Sequence, residues 1–573
     1  LVASYLQTHP RIVLWYRLDA GDADPSTLFH YLGLAVQAAA PRFRTRLPHL
    51  TPEYIAGLPT FTQRFFEQLG RRFSRPTVLV FDNYHEVPPD SLIHQLLPVG
   101  IQQLPHHIRM IVLSRERPPA SYARLQAEQH LETIQAAALE LTQEEAHQLS
   151  RLRRAAVRKD DMRSNVDQVW ELTKGWMAGF ILLWQHHERE KTIVGLTPHQ
   201  SSQAIFDYFA GEVMERFSQD VQTVLLAVSI LSDFTPQMAQ ELSPAPQVAD
   251  ILEQLHQYRY FVERREDRVG WYRCHPLFQE FLQRRAEQVW APAVLRERRR
   301  QAAALLVEAQ QAGPAIALLQ QGQAWDDYRA LVQAQAPLLA QQGRLQTLGT
   351  WIRHLPKAER DADPWMDFWL AYSHLLASPQ EASALYESAM MRFQQQGERV
   401  GILLAWAGAV QSILVAWTGM KHLYDLVRVF EEMHPEGTAY PSLEVEAVVA
   451  QAMAGAYMQM YTDRAQARVW LDRSVELAHA LPQSMRASEM VNTTIFYVQL
   501  GEGQTAQRVY AHQQRAWGAG ASASMRVAMA ITECMLAWWS GDIERCRNAV
   551  QTALDRAKRE GLVTWNWVIY SQA

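Results

Sequence analysis

Two short apolar segments near the start of the chain each end in polar side chains that could bind a ligand. Residues 77–81 (TVLVF) are followed by Asp82, and residues 108–113 (IRMIVL) are followed by Ser114 and Arg115. Apolar segments of this length, separated by helical patterns, indicate a parallel sheet buried on both faces. The carboxyl ends of such strands meet at one edge, where ligands bind. A carboxylate there can hold Mg²⁺, and a guanidinium suits an anion with several oxygens, such as a phosphate.

The segment TVLVFDNYHEV is the Walker B arrangement of P-loop nucleotidases, in which the carboxylate holds the Mg²⁺ that bridges the nucleotide phosphates. Beside Asp82, Ser114 and Arg115 could sense a γ-phosphate. The alternatives are a turn residue or helix cap for Asp82 and a surface salt bridge for Arg115. Asn83 stands where many hydrolases carry a second acid, and a neutral amide does not act as a general base. We therefore expect slow turnover at most, with Asp82 as the catalytic candidate.

The phosphate-cradling sequence G-x-x-x-x-G-K-[ST] does not occur among the 573 residues. In a P-loop fold that loop joins the first strand to the first helix. This chain lacks an initiator Met, opens with a helical pattern followed by a strand, and ends inside another helical pattern, TWNWVIYSQA. We therefore interpret it as part of a longer protein and expect the loop to precede Leu1.

The elements that would position these side chains alternate between strand and helix over residues 1–140. Residues 12–18 form a further strand pattern, and Asp24 followed by proline predicts a capped helix that runs to Ala40. Helices are also expected over 59–73 and 90–103. This alternation predicts an N-terminally truncated α/β nucleotidase core.

Two further domains are predicted between this core and residue 292. A capping-box pattern at residues 142–145 and a helical pattern over 166–186 predict a helical subdomain over 141–195. Two aromatic runs flank the polar turn at 266–268 after several helices. These runs predict a β-hairpin, or wing, and together with the preceding helices they indicate a winged-helix domain over 196–292.

Residues 293–573 are predicted to form helical repeats. Helix-breaking dipeptides recur there roughly every forty residues, which is typical of a tetratricopeptide-like (TPR-like) α-solenoid. The alternative is one irregular helical bundle. The fold class is therefore multidomain and mainly α. The dipeptides are Ser378-Pro379, Gly419-Met420, Thr462-Asp463, Gly501-Glu502 and Gly541-Asp542.

Composition limits the function classes. Lys and Arg total 55 against 60 Asp and Glu, and a net charge of −5 gives no whole-chain attraction to nucleic acid or to anionic membranes. Three cysteines without a C-x-x-C pair indicate a reducing, cytoplasmic compartment. No apolar run approaches the length of a membrane span. The histidine pairs lack the spacing of a metal site built from protein ligands alone.

Seven segments, in order, resemble the STAND-class regulatory ATPases of the maltose-activator type, the large MalT-like ATP-binding regulators of the LuxR family. The match extends through an eighth segment and covers most of the chain. The segments are WYRLDAGDADPSTLFHYL (15–32), LVFDNYHEV (79–87), IVLSRERPP followed by ARLQA (111–127), LELTQEEA (139–146), WELTKGWMAGFILL (170–183), FAGEVMERFSQDVQTVLLAVSIL (209–231), GWYRCHPLFQEFLQRR (270–285) and RLQTLGTWIRHLP (344–356).

The resemblance implies a nucleotidase core, a helical subdomain, a winged helix and a TPR-like superhelix, with ATP or ADP and Mg²⁺ as cofactors. It assigns Asp82 to the Walker B acid and Arg115 to the sensor arginine. His275, in the CHPLF segment, matches the winged-helix histidine that faces the bound diphosphate, and a purely structural histidine is the alternative. Gly175 and Gly179 would allow close approach to the nucleotide or, alternatively, tight helix packing.

These implications lead to one main hypothesis and two alternatives. The chain would belong to an ATP-dependent signal-transducing regulator of transcription that self-associates when ATP is bound. An inducer or partner protein would bind the superhelix, and DNA would be contacted only through a domain outside these residues. The first alternative is a non-catalytic TPR-like scaffold with a degenerate nucleotidase domain. The second is a metabolic P-loop kinase, for which the sequence offers no acceptor-substrate site.

Overall fold

The structure of the chain, a computed structural model, divides into two compact units. The first comprises Leu1–Glu128 and Arg329–Ala573, and the second comprises Gln129–Tyr328. The structure describes the chain except for residues 1, 9–10, 42–46, 153–160, 174, 176, 178, 182–183, 185–210, 212–213, 215–216, 258–260, 266–267, 436, 461–463, 481–492, 518–522, 563–568 and 570–573.

A three-stranded parallel sheet lies at the start of the first unit, in the order β1-β2-β3. The strands are β1 (Ile12–Arg17), β2 (Thr77–Asp82) and β3 (Ile108–Val112). The central strand β2 is buried from its first residue through Phe81, as expected for a parallel strand covered on both faces. The predicted parallel sheet is confirmed, and its central strand extends to include Asp82.

In the described part of residues 1–128, five α-helices accompany the sheet: α1 (Val2–Gln7), α2 (Pro25–Ala39), α3 (Leu58–Gly70), α4 (Ile93–Ile101) and α5 (Ala123–Ala127). The predicted cap of α2 is confirmed, because one carboxylate oxygen of Asp24 accepts the Ser26 N–H at 2.9 Å. Three aromatic rings join α2 to α3: Phe29 lies 5.1 Å from Phe61 and 4.8 Å from Phe65, measured between ring centroids. These contacts hold α2 against the rest of the sheet domain.

Among the residues that the structure describes, the second unit consists of helices, one hairpin and the loops between them. Its helices are α6 (Gln143–Leu152), α7 (Asp161–Thr173), α8 (Gln219–Val228), α9 (Pro236–Leu242), α10 (Val248–Gln257), α11 (Pro276–Val289), α12 (Pro292–Glu308) and α13 (Ala312–Gln321). The hairpin pairs β4 (Val262–Arg264) with β5 (Tyr272–Cys274) in antiparallel register. The predicted capping box is present, since the side chains of Thr142 and Glu145 each accept the other's backbone N–H. The predicted hairpin is confirmed as well.

The helix predicted over 166–186 is wrong at its middle. Helix α7 ends at Thr173, and Gly175 has a φ of +76°, a left-handed conformation in which a right-handed helix does not continue. The Gly175 carbonyl accepts the Leu141 N–H at 2.8 Å. A Cβ on Gly175 would lie 2.7 Å from the Leu141 carbonyl oxygen, so glycine permits this close approach of two backbone segments. Trp176, which follows it, lies outside the described residues.

The remaining residues that the structure describes form helices that pack on their neighbours in sequence, and the predicted breaks among these residues fall between the helices. The break at Gly419-Met420 precedes α20 and that at Gly541-Asp542 precedes α25. Thr462-Asp463 lies outside the described residues. The helices are α14 (Trp325–Gln341), α15 (Leu345–His354), α16 (Lys357–Asp361), α17 (Pro364–His374), α18 (Pro379–Gln396), α19 (Arg399–Ala416), α20 (Met420–Met433), α21 (Leu443–Met460), α22 (Arg464–Ala480), α23 (Gly503–Trp517), α24 (Ala523–Trp539) and α25 (Ile543–Glu560).

Helix α19 lies at the centre of these repeats. By length and composition it is apolar enough to cross a membrane, so the expectation that no apolar run approaches the length of a membrane span is wrong, and half of the helix is buried within the protein. Trp406 in α19 is fully buried, and its indole N–H donates to the Leu426 carbonyl of α20 at 2.8 Å. These contacts are those of a core helix in a helical repeat.

Candidate functional site

Asp82 lies at the carboxyl end of the central strand, where the sequence analysis placed it. Its Oδ2 accepts the indole N–H of Trp15 at 3.2 Å, and its Oδ1 accepts the backbone N–H of Asn83 at 3.0 Å. Trp15 is on the neighbouring strand β1 and remains 41% exposed. The two donors fix the orientation of the carboxylate at the edge of the sheet. Trp15 was not identified as a site residue, because an indole inside an apolar run gives no sequence signal of this role.

Asn83 adopts a left-handed backbone conformation, with φ of 59° and ψ of 39°. Asparagine and aspartate tolerate this region better than other residues with a Cβ. The conformation turns the chain away from β2 immediately after Asp82. An acid could therefore occupy this position with the same backbone, so the amide here is a chemical difference and not a consequence of the turn.

Ser114 and Arg115 follow β3 at the same edge of the sheet. The register pairs Phe81 with Val112, so the residues after each strand emerge side by side. The backbone N–H of Arg115 donates to Nδ1 of His85 at 3.4 Å, which links the two loops. Ser114 and Arg115 are both exposed. The structure thus brings Asp82, Ser114 and Arg115 to one edge, as parallel strands require.

His275 belongs to the second unit, where it is the N-terminal cap residue of α11. Its backbone N–H donates to the Phe261 carbonyl at 2.7 Å, and its carbonyl accepts the Gln279 N–H at 2.9 Å. These bonds fix the start of α11 beside the hairpin. An N-terminal helix position is electrostatically suited to an anion. His275 and the three residues of the sheet edge are in different units.

The residues of the sheet edge suit one part of a magnesium–nucleotide site. Mg²⁺ is held by one or two carboxylates together with substrate phosphates and water, so the single carboxylate of Asp82 is compatible with it. In the described part of the chain, no three or more His, Cys, Asp or Glu side chains form a group that could hold a metal alone. Arg115 could face a phosphate. The backbone cradle for the other phosphates has no counterpart sequence within residues 1–573.

An acidic loop follows β1, and the sequence analysis did not single it out. Asp22 is 3% exposed; it accepts the Tyr16 hydroxyl at 2.6 Å and the Asp19 N–H at 2.9 Å. Burial, together with the nearby charge of Asp19, raises the pKa of Asp22 to about 7. The sequence signal for this loop was the run LDAGDAD. It contains three acids, whereas one helix cap uses a single acid.

A first contact joins this loop to the repeat helices within the first unit, and we call it the threonine junction (Asp24, Thr27, Arg344 and Thr347). Oδ2 of Asp24 accepts from the Thr347 hydroxyl at 2.6 Å and from the Thr347 backbone N–H at 3.1 Å. Arg344 donates to the Thr27 hydroxyl at 2.8 Å, and its guanidinium lies 5.1 Å from the ring centre of Tyr31. Asp24 and Thr347 are 5% and 7% exposed, so the junction is a buried polar contact.

A second contact lies near the end of α25, and we call it the glutamate junction (Arg64, Arg526 and Glu560). Glu560 forms an ion pair with Arg64 of α3 and a second one, at 3.4 Å, with Arg526 of α24. The side chains of Glu560 and Arg64 remain 17% and 26% exposed. Backbones also meet here, because a Cβ on Gly57 would lie 1.7 Å from the carbonyl oxygen of Gly561.

Part of the chain is similar in sequence to known transcription regulators. The family model described as the MalT winged helix domain matches residues 210–294. The HTH-type transcriptional regulators MalT of Yersinia enterocolitica and Serratia proteamaculans are each 26% identical to this chain over 283 residues. The alignments cover 48% of this chain and 30% of each relative, so the chain matches less than a third of the relatives' length.

A solved structure shows the same overall fold. The Signal Transduction ATPase with Numerous Domains (STAND) protein with a tetratricopeptide repeat sensor from Pyrococcus horikoshii aligns with a TM-score of 0.59 at 11% identity. The alignment covers 99% of this chain and 84% of that protein. The mainly α, multidomain fold predicted from the sequence is confirmed. The chain is therefore similar to the MalT-like STAND regulators, as its sequence segments indicated, and it carries a winged helix of the MalT type.

Proposed function

We propose that residues 1–573 form the nucleotide-dependent switch of a cytoplasmic regulator of transcription. In this proposal the sheet domain binds ATP or ADP with Mg²⁺, and an inducer or partner protein binds the repeat helices. The ATP-bound form self-associates. DNA is contacted by a domain outside these residues, as the helix-turn-helix (HTH) in the printed name of the MalT relatives suggests.

The observation that carries the proposal is the position of Asp82 and Arg115. Asp82 ends β2, and Arg115 follows the neighbouring strand β3 at the same edge of the sheet. The same sheet domain contacts the repeat helices through Asp24 and Thr347. A nucleotide at that edge and a ligand on the repeats would therefore act on two parts of one compact unit. Coupling between two ligands requires a difference in affinity between two states of such a unit.

Each candidate residue has a distinct task in this proposal. When bound, ATP with Mg²⁺ would supply the phosphate charge that distinguishes the active from the inactive state. Asp82, oriented by Trp15, would hold the magnesium ion. Ser114 and Arg115 would face the terminal phosphate, and His275 would donate a hydrogen bond to the diphosphate.

The neutral Asn83 supports a second candidate, a scaffold whose nucleotidase domain is degenerate. Without a second acid after Asp82, position 83 offers no general base. In that case the repeat helices alone would bind partners, and nucleotide would have no effect on assembly. The two candidates differ in nucleotide binding, which can be measured directly.

The test is calorimetric binding of ATP and ADP, with and without Mg²⁺, to the full-length protein that contains these residues. Asp82→Ala should weaken Mg²⁺-dependent ATP binding about 10- to 150-fold, the effect of losing one bond to a charged group. Arg115→Ala should weaken ATP more than ADP, and His275→Ala should weaken ADP. Matched controls are Asp90→Ala and Arg109→Ala, which change an exposed carboxylate in the loop after β2 and an exposed arginine of β3.

Each outcome favours one candidate. Losses confined to Asp82, Arg115 and His275 support the switch. If wild type binds neither nucleotide, or if all variants bind as wild type does, the scaffold is the better function for the chain.

A further inference from the structure

Two of the three cysteines face each other across the last described helical hairpin. Sγ of Cys534, in α24, lies 3.2 Å from Sγ of Cys546, in α25. Cys534 is buried and Cys546 is partly accessible. The third cysteine, Cys274, is buried in the second unit. Cys534 and Cys546 are 12 positions apart, which matches no C-x-x-C pattern. The two thiols therefore meet only when the two helices fold back on each other.

The hairpin that carries the pair is held by an ion pair directly beside the thiols. Arg545, next to Cys546, donates through Nε to Glu533, next to Cys534, at 2.7 Å. Asp542 caps α25 by accepting the Arg545 N–H at 3.0 Å. The pair between Glu533 and Arg545 joins the two helices next to the sulfur atoms, and the cap fixes the start of α25.

The distance between the thiols is compatible with a bond. The S–S bond of a disulfide measures about 2.05 Å, so the two sulfur atoms must approach by about 1.1 Å, which small side-chain rotations can provide. Disulfides in a reducing compartment are transient and redox-sensing as a rule. The reducing compartment expected from the composition is therefore compatible with a reversible, regulatory disulfide and not with a permanent structural one.

The two thiols differ in access to solvent. Burial, with the hydrogen bond to Cys546 as a smaller contribution, raises the pKa of Cys534 to about 12. The buried thiol of Cys534 therefore stays protonated at neutral pH. The reactive form of a cysteine is the thiolate, so Cys534 is the less reactive partner towards an oxidant. Cys546 is the more accessible of the two, and an oxidant in solution meets it first.

We propose that Cys534 and Cys546 form a reversible disulfide when the chain meets a peroxide. The Cys546 sulfur attacks one oxygen of hydrogen peroxide, the O–O bond breaks, and a sulfenic acid and one water result. The Cys534 sulfur then attacks the sulfenic sulfur; the S–O bond breaks, and the hydroxide takes the Cys534 proton and leaves as a second water. Two thiols are oxidised to one disulfide and one peroxide is reduced. A dithiol reverses the reaction by exchange.

The crosslink would act on a groove in the repeats. A groove of about 450 Å³ is lined by residues of α23, α24 and α25, among them Glu533, Arg545 and Asn548. Cys534 and Cys546 are the sequence neighbours of Glu533 and Arg545. A disulfide there fixes the separation of the two helices that form the groove's walls. This inference does not depend on nucleotide binding at the sheet edge.

The experiment uses the reduced chain, treated with hydrogen peroxide under native conditions and then denatured with free thiols blocked. We expect reactive thiols to fall from three to one and the intact mass to fall by about 2 Da. Peptide mapping should place the bond between Cys534 and Cys546. Dithiothreitol should restore all three thiols.

Serine variants provide the controls. Cys274→Ser should still lose two thiols, whereas Cys534→Ser and Cys546→Ser should form no intramolecular bond. Unchanged thiols in wild type would overturn the proposal. A gain of about 32 Da at Cys546, the mark of a sulfinic acid, would also overturn it, because it would mean that Cys534 does not resolve the sulfenic acid.

Discussion

The threonine junction and the glutamate junction join the same two parts of the first unit by different means. In the threonine junction a buried carboxylate, Asp24, receives a hydroxyl and a backbone N–H from Thr347. In the glutamate junction a partly exposed ion pair joins Glu560 to Arg64, beside two closely packed glycine backbones. Buried, charge-assisted hydrogen bonds are costly to break, whereas exposed ion pairs contribute little and are screened by salt. Loss of a hydrogen-bond partner should therefore destabilise the threonine junction strongly, whereas the ion pair of the glutamate junction should contribute little and depend on salt.

The largest effect is expected at Asp24. Asp24→Ala removes the acceptor of Thr347 and the cap of α2 together, and it leaves buried donors without a partner. We expect the free energy of unfolding to fall by about 3–5 kcal/mol. Urea unfolding followed by circular dichroism measures this change against the exposed control Asp90→Ala. A change of under about 1 kcal/mol, similar to the control, would mean that the junction is not formed in solution.

A pH titration separates Asp22 from its neighbour Asp24. Because the folded pKa of Asp22 is about 7, above the unfolded value of about 3.9, the folded chain keeps a proton that the unfolded chain has lost. Stability from this group is present below about pH 4 and is lost as the pH rises to about 7. The loss is on the order of 2–4 kcal/mol, at about 1.4 kcal/mol per pKa unit.

The charged and titratable groups that face Asp22 are Tyr16, Asp19 and Arg344. Asp22→Asn should flatten the dependence of the urea midpoint on pH between 4 and 7 relative to wild type. An equally steep curve for the variant would assign the dependence to other groups.

An added side-chain atom at the glutamate junction should lower the stability of the chain. Gly57→Ala places a Cβ against the carbonyl of Gly561, and one of the two backbones must move. We expect a loss of about 1–3 kcal/mol, the usual cost of overpacking. Gly33→Ala is the matched control, because a Cβ on Gly33 in α2 meets no atom within 4 Å. Equal stability of both variants would show that α25 does not pack on α3 in solution.

The smallest effect is expected for Glu560→Gln, which removes the ion pairs and keeps the shape of the side chain. A loss of about 0.2–1 kcal/mol at low salt should shrink as sodium chloride is added, because salt screens partly exposed charges. Glu544→Gln removes the more exposed pair with Arg547 and serves as control. A salt-independent loss would identify Glu560 as a packing residue.

Local patterns predicted the local structure well. The cap of α2, the strands ending at Asp82 and before Ser114, and most repeat breaks follow from short-range rules of capping, strand polarity and helix termination. The error at Gly175 arose because a glycine inside an apolar helical pattern does not reveal its φ angle. Only contact with Leu141 makes the left-handed conformation necessary.

The long-range contacts were beyond sequence reasoning for a specific reason. Asp24 was read as a helix cap, and that reading accounts for one carboxylate oxygen. The other oxygen finds Thr347, which lies 323 positions later. A single sequence contains no signal that pairs these two residues. The same applies to Glu560 and Arg64, 496 positions apart, and to the facing thiols of Cys534 and Cys546.

The two junctions also bear on how the repeat helices come apart. Open repeat arrays contact only their neighbours, so they fray from their free ends and can unfold in steps. Here α15 near the start of the array and α25 near the end of its described part are both attached to one sheet domain. Such an array has no free end in this span, and its outermost helices should exchange amide hydrogens as slowly as its inner ones. A chain closed in this way gains cooperativity from its topology, without any additional core.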